Sequence, residues 1–367
     1  MKILILNFIL YTADNNIIPK VKSIKDTMIY NMCLGFKQLG HDVTLGAAED
    51  FRPTEKEDYD FNVVFFKTDY KRIFPPSVLP YSRQLKKYLL RNRECFDLII
   101  SSEVFSFVSL CATRICPQKT IIWHELALHQ RKFHKIPSKI WYNIIARMFM
   151  RKSLVVGRSI SARDFVKQYH KFTSDECVEH GINISRFHVN KDKKDFFIVI
   201  SQLIKRKNIP SIIQKFKELI ESTAVYKDFK LYIIGRGPQE SELLGLVNNL
   251  NLQKNVYFTG FLSHEQIQKY VGGAKALLID TLQDNNMVSI PETLACGTPI
   301  VTNSIPTNSY VIKDNNLGIV KDQWGVKELK EIINNNSFYV SNCIKYRDKL
   351  TNFHSAQILI DIFNHKR

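Results

Sequence analysis

DTLQDNNMVSIPETLACGTPIV, Asp280 to Val301, closes one apolar run, crosses a polar loop, opens a short helix and leads into a further apolar run. The first run, Ala276 to Asp280, and the last, Pro299 to Thr302, have the length and composition of strands buried on both faces of a parallel sheet. Between them the spacing predicts a helix starting near Pro291, where proline suits the first turn, and stopping at Gly297. Such a strand-loop-helix corner turns backbone N–H groups toward any anion that docks there. Glu292 falls in the first turn, where a carboxylate can serve the helix dipole or bind a ligand; both readings stay open on spacing alone.

The same rhythm extends outward from this corner. Strands are expected at Phe196 to Ser201, Lys230 to Gly235 and Asn255 to Thr259, with helices near Pro210 to Glu221, Gln239 to Leu250 and His264 to Val271. In the first half, Lys2 to Tyr11 reads as a buried strand. A helix capped by Ser23 follows, carrying Met28, Ile29, Met32, Cys33, Phe36 and Leu39 on one face up to Gly40. Further strands are expected at Val43 to Leu45, Asn62 to Phe66, Asp97 to Ser101, Thr120 to Trp123 and Leu154 to Val156. Strands alternating with helices imply parallel, doubly wound sheets. The fold class is therefore α/β, with two Rossmann-like units, and open sheets of this kind bind ligands beyond their carboxyl strand ends, so a central cleft is expected. The charged stretch NKDKKD, Asn190 to Asp195, is the expected linker. The expected division is residues 1–188, residues 189–345, and a final helix in 346–367 crossing back to the first domain.

A chain of 367 residues exceeds one ordinary hydrophobic core, which agrees with two domains. At 45% apolar residues it is a globular composition, and no apolar run reaches the roughly 20 residues that cross a bilayer. MKILILNFILY carries a single Lys2 and no small-residue cleavage site, so it reads as a strand rather than a signal segment. Seven scattered cysteines show neither a CxxC pair nor zinc spacing; reduced thiols and a cytoplasmic setting are expected. No GxGxxG follows the first strand, which disfavours a nicotinamide dehydrogenase. Charge is concentrated: Lys71 to Lys171 holds 20 Lys or Arg against 5 Asp or Glu, an excess of 15 out of the total 17. An anionic partner beside that half is expected.

The Asp280 to Val301 stretch resembles the signature of the family 4 type of retaining glycosyltransferases, which have the two-Rossmann GT-B fold. That signature is an acid, a Gly-Phe-Gly-like turn and a Glu eight positions on, followed by an Ala-Cys-Gly-Thr-Pro-Val-like segment. Here the acids are Asp284 and Glu292, and Ala295, Cys296, Gly297, Thr298, Pro299 and Ile300 follow; Asn285, Asn286 and Met287 replace the glycine turn. HGINISRF (His180 to Phe187), LYIIGRGPQE (Leu231 to Glu240), VYFTGF (Val256 to Phe261), GHDVT (Gly40 to Thr44) and WHEL (Trp123 to Leu126) are similar to further family landmarks, in order, over roughly residues 1 to 340.

The resemblance implies a role for each matching residue. Glu292 would hold ribose hydroxyls, since a carboxylate offers only acceptors. Asp284 would hold hydroxyls of the donor sugar. Lys207 matches the lysine of an Arg-x4-Lys pair that neutralises the diphosphate leaving group. Gln202 stands where the arginine is usual, with Lys205 and Arg206 near enough to substitute. Amides of Val288 and Ser289 would face the phosphates, His124 would project toward the reacting sugar, and Gly235, Gly237 and Phe261 would lie at the nucleotide. Taken apart from the family, Gly235 and Gly237 are turn glycines and His124 is as well explained as a core histidine. Neither a cofactor nor a metal is implied.

The implied activity is retaining transfer of a hexose or related sugar from a UDP- or GDP-sugar to a glycan or lipid-linked glycan, in cell-surface polysaccharide biosynthesis. The alternatives are a catalytically silent subunit of the same fold, which Gln202 and Asp284 favour, and a nucleotide-sugar epimerase. For the basic region, YSRQLKKYLLRNR (Tyr81 to Arg93) and SKIWYNIIARMFMRK (Ser138 to Lys152) combine cations with apolar residues at helical spacing. Helices of this kind lie at anionic membrane surfaces, or else bury their apolar stripes and leave only the cations outside. A peripheral position on the inner face of the cell membrane is the expectation, and nucleic acid is disfavoured because no binding motif accompanies the charge.

Overall fold

The structure, a computed structural model, describes residues 1–11, 17–130, 135–262, 264–284 and 286–365. The chain divides into two units, Met1–Ile182 with Thr351–Arg367, and Asn183–Leu350. Among the described residues each unit holds one wholly parallel sheet.

In the first unit the strands are β1 Lys2–Leu6, β2 Asp42–Ala48, β3 Asn62–Phe66, β4 Leu98–Ser102, β5 Thr120–His124, β6 Leu154–Gly157 and β7 Thr173–Cys177. Their order is β3-β2-β1-β4-β5-β6-β7. Ile3, Leu4, Ile5 and Leu6 are buried to within 1%. Each such side chain taken out of water contributes about 1.5–3 kcal/mol, which is why an unbroken apolar run becomes a central strand. β1 stops at Leu6, short of Tyr11; just past it the Asn7 N–H still donates to the Gly46 carbonyl at 3.0 Å, while the Asn7 side-chain amide donates to the Ile9 carbonyl at 3.0 Å. Helix Met28–Gln38 is capped by Thr27, whose hydroxyl accepts from the Tyr30 N–H, and not by Ser23, whose hydroxyl accepts from the Lys25 N–H.

The second unit has β8 Phe196–Ile200, β9 Lys230–Ile234, β10 Val256–Gly260, β11 Ala276–Leu278, β12 Ile300–Thr302 and β13 Gly318–Val320, ordered β10-β9-β8-β11-β12-β13. Its core gathers Phe197, Val199, Ile213, Phe216, Leu231, Leu278 and Trp324.

The division falls at Ile182/Asn183, ahead of the charged stretch expected to be the linker. Asn190 to Asp195 is stitched into the second unit: the Asn190 N–H donates to the Cys296 carbonyl and Lys193 Nζ to Gly272 O and Thr298 Oγ1 at 2.8 and 2.7 Å. Burial lowers the Lys193 amine to about 8. At the other end of that unit the chain returns to the first, where helix Asn352–His365 lies against Met28–Gln38. Gly35 allows the approach, because a β-carbon there would sit 2.4 Å from the Asn352 carbonyl oxygen.

Candidate functional site

β8 and β11 are neighbours, yet the chain leaves β8 toward β9 on one side and arrives in β11 from the far edge. The loops that follow these two strands therefore part at the switch point of the sheet, where open α/β sheets take their ligands. The β8 loop makes one tight turn, Lys205–Lys207, then bends through Asn208 in the left-handed region (φ 49°) into helix Ile209–Ser222. Asparagine tolerates that conformation, and Pro210 in the first turn fixes the helix start.

Five contacts stitch the β11 loop to it. The Leu282 N–H and the Thr281 hydroxyl donate to the Arg206 carbonyl at 2.7 and 2.9 Å, and Arg206 Nη1 donates to the Gln283 carbonyl at 2.9 Å. Asp284 completes the set: Lys207 Nζ donates to its Oδ2, and Arg206 Nη1 lies 3.1 Å from its Oδ1. The Lys207 and Asp284 side chains are 11% and 12% exposed, so the pair sits just beneath the surface. Beneath it Asp280 accepts from Lys215 Nζ at 2.7 Å, and that amine caps the Trp324 ring at 4.1 Å, while Trp324 Nε1 donates to the Ile279 carbonyl. The loop is thus held from below by groups far away in sequence.

The helix after the β11 loop begins at Ser289 rather than Pro291, with Glu292 in its first turn. Val288 is its N-cap residue and is 45% exposed. Met287 does not offer its backbone to a ligand: it is buried, and Asn308 accepts from its N–H at 3.2 Å and donates to its carbonyl at 3.1 Å. Asn286 accepts from the Thr307 hydroxyl, and Asn285 lies outside the described residues. Gln202 and Lys205 are exposed, and Phe261 is 80% exposed. Gly235 and Gly237 serve the scaffold: β-carbons there would come within 1.9 Å of the Ser201 carbonyl oxygen and 2.4 Å of the Leu203 carbonyl oxygen, so their absence lets the β9 turn press on the β8 loop.

In the first unit the polar groups beyond the strand ends are arranged otherwise. His124, expected to project toward a sugar, is fully buried. The rings of Tyr142 and Phe165 flank it at 6.2 and 6.3 Å, so the last residue of β5 belongs to the core. Its Nδ1 lies 2.8 Å from Glu103 Oε2 and 3.4 Å from the Val104 N; its Nε2 has no hydrogen-bond partner among the described residues. Glu103 also accepts from the Glu125 and Leu126 N–H groups, and it holds φ at 68°, a left-handed conformation rare for glutamate. Burial raises its carboxyl, but His124, Arg158 and the Glu125 amide outweigh burial and leave it below the usual range. Arg158, after β6, donates to Glu125 at 2.8 Å and to His180 Nε2 at 2.9 Å, and lies over the Trp123 ring. Burial, with the Arg158 charge beside it, pushes the His180 imidazole well below its ordinary value, so it accepts as a neutral ring. Glu103 and Arg158 were not singled out from the sequence: each follows a strand by one residue, and nothing local marks either.

The loops at the second sheet's switch point can be set beside known proteins. Residues 182–337 match the family of glycosyl transferases group 1. The matched segment contains Lys207, Asp284 and Glu292 together. Curated relatives include the alpha-monoglucosyldiacylglycerol synthase of Streptococcus pneumoniae, 22% identical over 180 residues (45% of this chain, 40% of that protein). The O-antigen chain mannosyltransferase RfbU of Salmonella typhimurium is 22% identical over 203 residues (53% and 56%). The chain thus spans about half the length of the curated relatives it matches. Among solved structures, Anabaena HepE in complex with UDP superposes with a TM-score of 0.67 at 13% identity, covering 100% of both chains. Sucrose-phosphate synthase of Thermosynechococcus elongatus gives 0.67 at 13% identity, covering 100% and 99%. The fold is that of GT-B glycosyltransferases: two parallel-sheet units, of seven and six strands among the described residues, each with its helices.

Proposed function

We propose that the protein is a retaining glycosyltransferase, of the hexosyltransferase class, that moves a hexose or related sugar from a UDP- or GDP-sugar to a glycan or lipid-linked glycan in cell-surface polysaccharide synthesis. The observation that carries this is the joining of Lys207, Arg206 and Asp284 at the switch point, one loop before Glu292. The group 1 match over that segment and the UDP held by HepE support it. When the bond from the anomeric carbon to the diphosphate breaks, negative charge grows on the leaving oxygen, and Lys207 with Arg206 is the cationic pair closest at hand to meet it. Asp284 occupies both cations in the free protein and would exchange them for the diphosphate, turning to the sugar hydroxyls; Glu292 would take the ribose. The sugar passes through an oxocarbenium-like state and keeps its anomeric configuration. In this scheme two side-chain cations do the work that a divalent metal does in other transferases. The first unit would hold the acceptor, at an anionic membrane surface on the inner face.

Gln202 in place of an arginine, and the neutralisation of Lys207 by Asp284, favour a second reading: a silent subunit that binds glycan or partners an active transferase. Melting-temperature screening against UDP-, GDP-, ADP- and CMP-sugars tests the donor site, since a ligand held by the native state raises the transition. A shift with one class, together with slow release of free sugar from it, is the expected result. A shift without any turnover gives the silent subunit, and no shift with any of them ends the donor-site reading.

A further inference from the structure

The two amphipathic helices of the basic region meet different fates. Helix Arg83–Asn92 turns Leu85 and Leu89 into the core and leaves its cations outside. The helical run Ile136–Phe149 buries Ser138, Trp141, Tyr142 and Ala146, and leaves Ile136, Ile140, Ile144 and Met148 at 56, 51, 48 and 60% exposure. These four recur every four residues. A regular α-helix would let such a row drift around the axis, but the wide π turn at Trp141–Ala146 opposes the drift and keeps the row on one side. Beside it Arg147, Arg151, Lys152, Lys167 and Lys171 line a recess of about 640 Å³ whose lining, among the described residues, contains no carboxylate. Phe172, half exposed, stands in the same lining. Lys167 also pairs with Asp175 at the surface.

We infer that this face docks on an anionic phospholipid bilayer, with the Ile136-Ile140-Ile144-Met148 row entering the headgroup boundary and the recess taking lipid phosphates. An exposed apolar row rimmed by cations is what an interfacial helix needs, and the charge complementarity selects an anionic surface over a neutral one. The inference deepens the proposed function by locating the membrane surface, and it rests on that proposal only for the idea that the acceptor is lipid-borne.

The test is co-sedimentation of the full chain with vesicles of phosphatidylcholine alone and of phosphatidylcholine with phosphatidylglycerol. Binding only to the second is expected. Ile140→Glu/Ile144→Glu should weaken it by about tenfold or more at an unchanged melting temperature. Arg147→Glu/Arg151→Glu should weaken it more than Lys86→Glu/Lys87→Glu, the same charge change on the other helix. Equal binding to both vesicles, equal loss from the two charge reversals, or a stripe that proves on sedimentation to join two copies of the chain would each overturn the inference. Donor-sugar turnover without vesicles separates it from the functional proposal: lost vesicle binding with turnover intact refutes only the docking face, and vesicle binding without turnover refutes only the enzyme.

Discussion

Both units place charged side chains just past the ends of central parallel strands, and they use them in opposite ways. In the second unit Lys207 and Asp284 lie close beneath the surface on two loops that part at the switch point, so a ligand can replace one partner of the pair. In the first, His124 is sealed behind Tyr142 and Phe165, and its partner Glu103 is held by a ring and two backbone amides at once. A polar residue at a strand end becomes a site only where its neighbours leave it replaceable; where they enclose it, it becomes a clamp that holds the loop.

The largest effect that distinguishes the two is catalytic. Lys207→Ala should slow donor turnover by about 10² to 10³, as loss of an electrostatic donor to a leaving group does. Because Asp284 would keep Arg206 but lose its nearer cation, at some cost in stability, Lys207→Ala/Asp284→Asn is the companion: it should fold like the parent and stay slow, and wild-type turnover in it would remove Lys207 from the mechanism. Next in size, Glu103→Ala should leave buried donors unmatched and lower stability by about 1–3 kcal/mol in urea unfolding. Were Glu103 instead a mere surface acid, the loss would be negligible.

A smaller effect is a pH slope. The folded His180 value lies below its unfolded one, so below about pH 6.5 the unfolded chain binds more protons. Stability is then full above that pH and falls as the pH drops, with a limiting slope of about 1.4 kcal/mol per pH unit. His180→Gln should flatten this part of the profile; an unchanged slope would mean that the ring is not the titrating group. Smallest of all, added EDTA should leave donor turnover unchanged if Lys207 and Arg206 supply the charge, and a strong loss would mean that a metal shares the task.

The same contrast explains what could be read from the chain beforehand. β1, β4 and β8 were legible because a strand buried on both faces has to be an apolar run. β7, TSDEC, was not, since this edge strand buries none of its residues fully and carries two acids, and the three-residue β13 was too short. Lys207 and Asp284 could be picked out by their register within one contiguous family pattern, and the structure brings them together. The enclosure of His124 could not, because the rings that close over it lie 18 and 41 positions further on, in segments read separately. Nor does a sequence show that Asn308 takes both backbone groups of Met287, or that Glu103 adopts a left-handed turn.

The return of the chain to its starting unit bears on how the molecule is made. Asn183–Leu350 is one unbroken segment, whereas the unit that begins at Met1 includes Thr351–Arg367. On a ribosome, the segment synthesised later therefore has everything it needs first, and the earlier one waits with the seat around Gly35 uncovered until the final helix emerges. Chaperone attention is expected at that bare face of Met28–Gln38 during synthesis, and a premature stop after Leu350 would strand the amino-terminal half while sparing its successor.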